Sequence, residues 1–122
     1  MDTIISFIRD RLEADRQLAI EAKGMSQGTW TTGSLYAVVD DRDDIVVYDE
    51  GSPDEYQARH IATHDPARTR LEVEAKLLLL DVAQTFLTAG LDDGCDILRA
   101  LALPFAEHVE YQEGWRPEGA VS

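Results

Sequence analysis

The sequence predicts an α+β fold dominated by helix: an N-terminal helix, one antiparallel β-hairpin, then a short helix, a long helix and a short C-terminal helix. Three observations carry this prediction. Apolar residues recur at helical spacing over residues 3–23 and 66–88. Two short runs rich in Val, Ile and Tyr flank the polar turn Asp40-Asp41-Arg42-Asp43-Asp44. Two strands alone make a marginal sheet, so helices must cover one of its faces.

Residues 3–23 read as the first helix. Ile4, Ile5, Ile8 and Leu12 form its stripe beside Phe7, with Asp2 or Thr3 as cap and Gly24 as stop. Residues 25–33 read as a loose polar loop around Trp30, whose burial would anchor the loop or first strand. Ser34–Val39 and Ile45–Tyr48 read as the hairpin strands, ended by Asp49-Glu50-Gly51. Ser52-Pro53-Asp54-Glu55 then opens a short helix, with Ser52 as cap and Glu55 closing a capping box. Pro66 disfavours helical angles at Asp65, so a corner is expected near His64-Asp65, with Asp65 capping the next helix.

The helix over 66–88 is the longest. Leu71, Ala75, Leu78, Val82 and Phe86 are expected on its core face, and Glu72 and Lys76 are expected to pair on its wet side. Leu77, Leu79 and Leu80 widen the apolar face, so the middle of this helix should pack on more than one side. Ala89-Gly90 should end it. Asp93 is the expected cap of the last helix, which buries Ile97, Leu98, Leu101 and Ala102 and stops or kinks at Pro104. Phe105 and Trp115 should pack the tail back. The expected organisation is a single compact domain over 1–115 with a flexible tail over 116–122.

Charge bounds the partners. The chain holds 24 acidic and 11 basic residues, a net charge of −13. That sign repels phosphate backbones and anionic bilayers, so direct nucleic-acid binding and membrane association are not expected. Cys95 is the only cysteine, so no internal disulfide and no Cys-based zinc knuckle can form. No signal-peptide core is read in residues 1–20, and the longest apolar run, Leu77–Leu80, is too short to span a bilayer. The expected location is the cytoplasm.

Chemistry-bearing residues gather in one place. His60 and His64 lie four apart, with Asp65 adjacent. On a continuous helix the two imidazoles would share a face, as metal ligands do, with His108 or Glu72 as a further arm. The set His60, His64 and Asp65 is therefore the metal candidate, suited to zinc or another transition metal. No Glu follows His60 as the H-E-x-x-H pattern requires, and the expected corner at His64 breaks the register. The architectural reading has His60 beside Tyr56, His64 bonded to the turn, and Asp65 as a cap.

The acidic turn lacks the Gly and distal Glu of a calcium loop. Cys95 stands among Asp92, Asp93 and Asp96, which oppose a thiolate. No nucleophile constellation or phosphate-binding glycine loop is present. No catalytic residue and no cofactor are assigned. Trp30, Tyr111 and Trp115 are the candidate interaction residues.

His60-Ile61-Ala62-Thr63-His64-Asp65-Pro66-Ala67-Arg68, Glu72-Val73-Glu74-Ala75-Lys76 and Leu98-Arg99-Ala100-Leu101-Ala102-Leu103-Pro104-Phe105-Ala106 resemble a family of small actinobacterial and actinophage proteins classed as a domain of unknown function. The N-terminal helix, the early Trp and the tail Tyr111…Trp115-Arg116-Pro117 extend the likeness over nearly the whole chain. The resemblance implies a prophage or mobile-element setting and no established activity. Its histidines at the positions of His60 and His64 favour the metal reading; its variable position at His108 weighs against a three-histidine site.

The functional expectation is a non-enzymatic, acidic accessory protein that binds another protein, with pairing of exposed strand edges into a homodimer as one form of association. The alternatives are a metal-dependent enzyme using His60, His64 and Asp65, and an acidic decoy that copies the charge of DNA.

Overall fold

The structure is a computed structural model and describes residues 2–48 and 53–119. In order these form α1 (Asp2–Lys23), β1 (Trp30–Thr32), β2 (Val38–Asp40), β3 (Ile45–Val47), α2 (Glu55–Thr63), α3 (Pro66–Thr88) and α4 (Asp93–Ala102). Short 3-10 turns follow at Leu103–Phe105 and Glu113–Trp115. The fold is α+β and mostly helical, as the sequence predicts. None of the described helices is long and apolar enough to cross a membrane.

The chain divides into two compact units, Met1–Ala14 with Val73–Ser122, and Asp15–Glu72. In the first, the α1 stripe Ile4, Ile5, Ile8 and Leu12 is buried with Val73, Leu80 and Ala83 of α3 and Leu98, Leu101 and Ala102 of α4. Removing this apolar surface from water is what holds the helices together, at about 25 cal/mol per Å². Gly94 permits a close approach: a Cβ there would lie 2.6 Å from the Ala83 carbonyl oxygen and 2.7 Å from Leu87 Cγ. Helix α4 starts one residue beyond Asp92, which occupies the cap position without a side-chain cap bond, so Asp93 is not the cap.

In the second unit the sheet has three strands, not two, in the order β1-β2-β3, all antiparallel. Trp30 pairs with Asp40 and Thr32 with Val38; Val38 pairs with Val47 and Val39 with Ile45, across an irregularity. The expected first strand over Ser34–Val39 is thereby corrected. Ser34–Tyr36 is a 3-10 turn whose Leu35 (φ 54) and Tyr36 (φ 69) adopt left-handed backbone angles that no strand contains, and it links β1 to β2. The expected turn over Asp40–Asp44 stands: Asp40 Oδ1 accepts the N–H groups of Arg42 and Asp44, and Asp43 takes φ 63. A small core of Val38, Ala58 and Ala62, flanked by Trp30, Val47 and Ile61, joins the sheet to α2.

Two caps differ from expectation. The capping box of α2 is Asp54 with Gln57, Asp54 Oδ1 accepting the Gln57 N–H at 2.8 Å and Gln57 Oε1 accepting the Asp54 N–H at 3.0 Å. Glu55 instead accepts from Arg59. The expected roles of Ser52 and of Asp49-Glu50-Gly51 lie outside the described residues. On α3, Glu72 pairs with Arg68 at 2.7 Å and not with Lys76.

The face of α3 is the largest correction. Leu71, Ala75, Leu78 and Val82, expected in the core, are exposed, while Val73, Leu80 and Ala83 are buried. The helix is apolar on two sides, and packing selected the side that the longer periodic pattern does not mark.

Candidate functional site

The joint between α2 and α3 is built from backbone hydrogen bonds outward. His64 ends α2 with φ −97 and ψ 48, its N–H donating to the His60 carbonyl at 3.1 Å. The same carbonyl lies 2.9 Å from His64 Nδ1. A carbonyl only accepts, so Nδ1 carries the proton and, in the neutral ring, the lone pair is on Nε2. The His60 and His64 rings lie 4.3 Å apart by centroid, tilted by 37°. Both histidines are exposed.

Asp65 joins two elements. Its Oδ1 accepts the Arg68 N–H at 2.8 Å, the expected cap of α3, and its Oδ2 accepts the Trp30 N–H at 3.0 Å at the start of β1. Each carboxylate oxygen thus has a backbone donor. Among the described residues no group of three or more His, Cys, Asp or Glu side chains lies where it could hold a metal ion.

The loop before Trp30 is tied, not loose. Buried Ser26 donates through Oγ to the Lys23 carbonyl at 2.6 Å and accepts the Gly28 N–H at 3.1 Å. The Gly28 carbonyl accepts the Ala67 N–H at 2.9 Å, and Gly28 takes φ 87, where a Cβ would press on Pro66 and Ala67 at 3.1 Å. The Asp41 carboxylate accepts the N–H groups of Gln27 and Thr29. Those donors, Gln27 foremost, hold the Asp41 carboxyl below the ordinary aspartate value of 3.8, against an opposing desolvation effect. Asp40 and Asp41, two acids of the possible cation turn, therefore serve the backbone.

The candidate interaction residues separate. Trp30 is half-buried against the Val38, Ala58 and Ala62 cluster and shares a cleft of about 210 Å³ with Leu18, Ala22, His64 and Pro66. Tyr111 and Trp115 pack on the core of the other unit around Phe7, at ring distances of 6.1 Å and 5.0 Å. Trp115 also lines an open cleft of about 670 Å³ with Phe7, Asp2, Asp10 and Glu110. Nearby, His108 receives two donors, Arg11 Nη1 at Nε2 (2.8 Å) and the Glu110 N–H at Nδ1 (3.0 Å). A neutral imidazole offers one ring lone pair, so each tautomer satisfies only one of them.

Sequence reasoning missed a groove of about 600 Å³ between α2 and the end of the sheet. It is lined by Val47, Pro53, Tyr56, Gln57, His60 and Ile61, and Tyr56 is 74% exposed beside it. Part of its signal was present as Tyr56 and His60, which lie four apart on one side of α2, with Pro53 just before the helix. The edge strand β3 adds exposed Ile45 and Val46 to the same unit. An apolar, open groove of this kind accepts apolar side chains of a ligand.

A model of a family of unknown function, DUF6221, matches residues 1–117. The chain belongs to this family. Among curated proteins none matches the chain, and among solved structures none matches it. In this DUF6221 member the histidine motif that marks the sequence forms a helix joint, and the apolar groove that His60 lines opens in the same unit beside Val47 of β3.

Proposed function

We propose that this DUF6221 protein is a non-enzymatic, cytoplasmic accessory protein that acts by binding another protein, in an actinobacterial prophage or mobile-element setting. The supporting observation is the open groove at Val47, Pro53, Tyr56, Gln57, His60 and Ile61 beside an edge strand with exposed aliphatic residues. Apolar surface of this kind marks interaction sites. Edge strand β3 also suits association by strand addition, including with a second copy. The test is capture from an actinobacterial lysate with wild type and with Tyr56→Asp, both folded by circular dichroism. The reading expects a protein recovered by wild type and lost with Tyr56→Asp; equal recovery would sink it.

A second reading has one supporting observation, the imidazole pair at 4.3 Å with His64 Nε2 holding its lone pair outward from the helix end bond. On this reading His60 and His64 ligate a transition metal and solvent completes the shell, while Asp65 remains a cap. Zinc titration by calorimetry should then give one site that His60→Ala and His64→Ala both remove. The acidic-decoy reading gains no support from Asp40 and Asp41, whose carboxylates bond backbone amides.

A further inference from the structure

Helix α3 carries two apolar faces, and among the described residues only one is buried. Val73, Leu80 and Ala83 are buried in the core. On another side Ala75, Leu78, Val82 and Thr85, and Ala89 one residue past the helix end, follow one another at spacings of three and four residues, and every one is exposed. Leu78 is 63% exposed, Val82 41%, and Leu79, which widens the strip, 46%. Thr85 Oγ1 donates to the Asp81 carbonyl within its own helix, which leaves the Thr85 methyl group to the strip. Spacing that averages 3.5 residues is the seam by which one helix packs along another.

Charge selects the occupant. Glu74 and Asp81 each stand one residue before a seam residue, Ala75 and Val82, so both flank the same edge, where interhelical ion pairs form. Neither makes an ion pair among the described residues. A second copy packed antiparallel would set these acids against each other, and any second copy brings a further −13 charge. A cationic helix meets both conditions at once.

We propose that the Ala75–Ala89 seam of α3 docks an amphipathic helix of a partner protein, apolar along its seam and bearing Lys or Arg opposite Glu74 and Asp81. Leu78 and Val82 are the anchors, and the acids set partner choice and orientation. This inference does not rest on the groove at Tyr56, and its test uses different substitutions.

The probe is a fluorescent three-heptad peptide of repeat Lys-Ile-Ala-Ala-Leu-Lys-Lys, with a control in which Glu replaces each Lys, titrated into the intact chain by anisotropy. The basic peptide should bind and the acidic one should not. Leu78→Asn with Val82→Asn should weaken binding by about tenfold or more, as loss of central anchors does. Glu74→Lys with Asp81→Lys should weaken it too and flatten its salt dependence. Because all four positions are exposed, melting temperature serves as the folding control for both pairs. Binding unchanged by both double variants would overturn the proposal, as would equal binding of the acidic peptide. A wild-type dimer by light scattering that Leu78→Asn with Val82→Asn makes monomeric would also overturn it, by assigning the seam to a second copy.

Discussion

Asp65 shows how one side chain can hold two elements. Its oxygens accept from Arg68 in the first turn of α3 and from Trp30, 35 positions earlier in the chain. Asp65→Ala removes a helix cap worth about 0.5–2 kcal/mol and leaves the Trp30 N–H without its charged acceptor, so a loss of about 2–3 kcal/mol is expected in urea unfolding. Asp65→Asn keeps one carbonyl acceptor and should lose about half as much. The cap was legible in Asp65-Pro66; the bond to Trp30 was not, because a contact across 35 residues leaves no local pattern. Asp41 makes a different prediction, in pH. Its carboxyl is held below 3.8, first by the Gln27 N–H, then, against desolvation, by that of Thr29. A lowered folded value means that the carboxylate favours the fold above the ordinary value and that this support disappears as pH falls through the shifted one. Asp41→Asn should therefore melt lower than wild type at neutral pH, with the two curves converging in acid below 3.8. Parallel curves across the whole range would refute the assignment.

At the scale of elements, the helices and the buried faces of α1 and α4 were legible, and the face of α3 was not. The stripe of α1, the Asp-Pro start of α3 and the stop before Pro104 are local signals, and each appears where the sequence placed it. Helix α3 has apolar residues around most of its girth, so periodicity alone could not choose between Leu78 and Leu80 for the core. Strand β1 was missed because Trp30–Thr32 is short and polar, while Leu35 and Tyr36, apolar but left-handed, lent Ser34–Val39 a false strand pattern. The groove at Tyr56 was hidden for the same reason as the Trp30 bond: β3 and α2 meet only in three dimensions. Gly94 offers a test of helix packing. Alanine there would gain up to about 1 kcal/mol of helix propensity. It would also set a methyl group against the Ala83 backbone at 2.6 Å, and a backbone in a packed helix cannot step aside as a side-chain end can. Overpacking of this kind costs about 1–3 kcal/mol, so Gly94→Ala should be destabilising by about 1–2 kcal/mol on balance. Gly114→Ala, which meets nothing within 4 Å, is the matched control and should be near neutral.

At the scale of the whole molecule the dominant quantity is the charge of −13, which the sequence gives outright. The ion pairs of Arg59, Arg68 and Arg116 are local, at three- or four-residue spacing, and two of them are exposed on both sides. Exposed pairs contribute about 0–1 kcal/mol each and weaken in salt. Repulsion among the surplus acids acts over longer distances and is also screened, as the Debye length falls from about 30 Å at 0.01 M to about 8 Å at 0.15 M. Self-repulsion involves more charges than the pairs do, so its loss should dominate. The melting temperature is therefore expected to rise with sodium chloride over that range, measured by circular dichroism at neutral pH. A cationic helix on α3 responds to the same screening with the opposite sign, because its attraction to Glu74 and Asp81 weakens as salt is added. One salt series read two ways thus separates the effects: a rising melting curve with falling peptide affinity requires repulsion within the chain and attraction across the seam, while a falling melting curve would mean that local pairs outweigh the net charge.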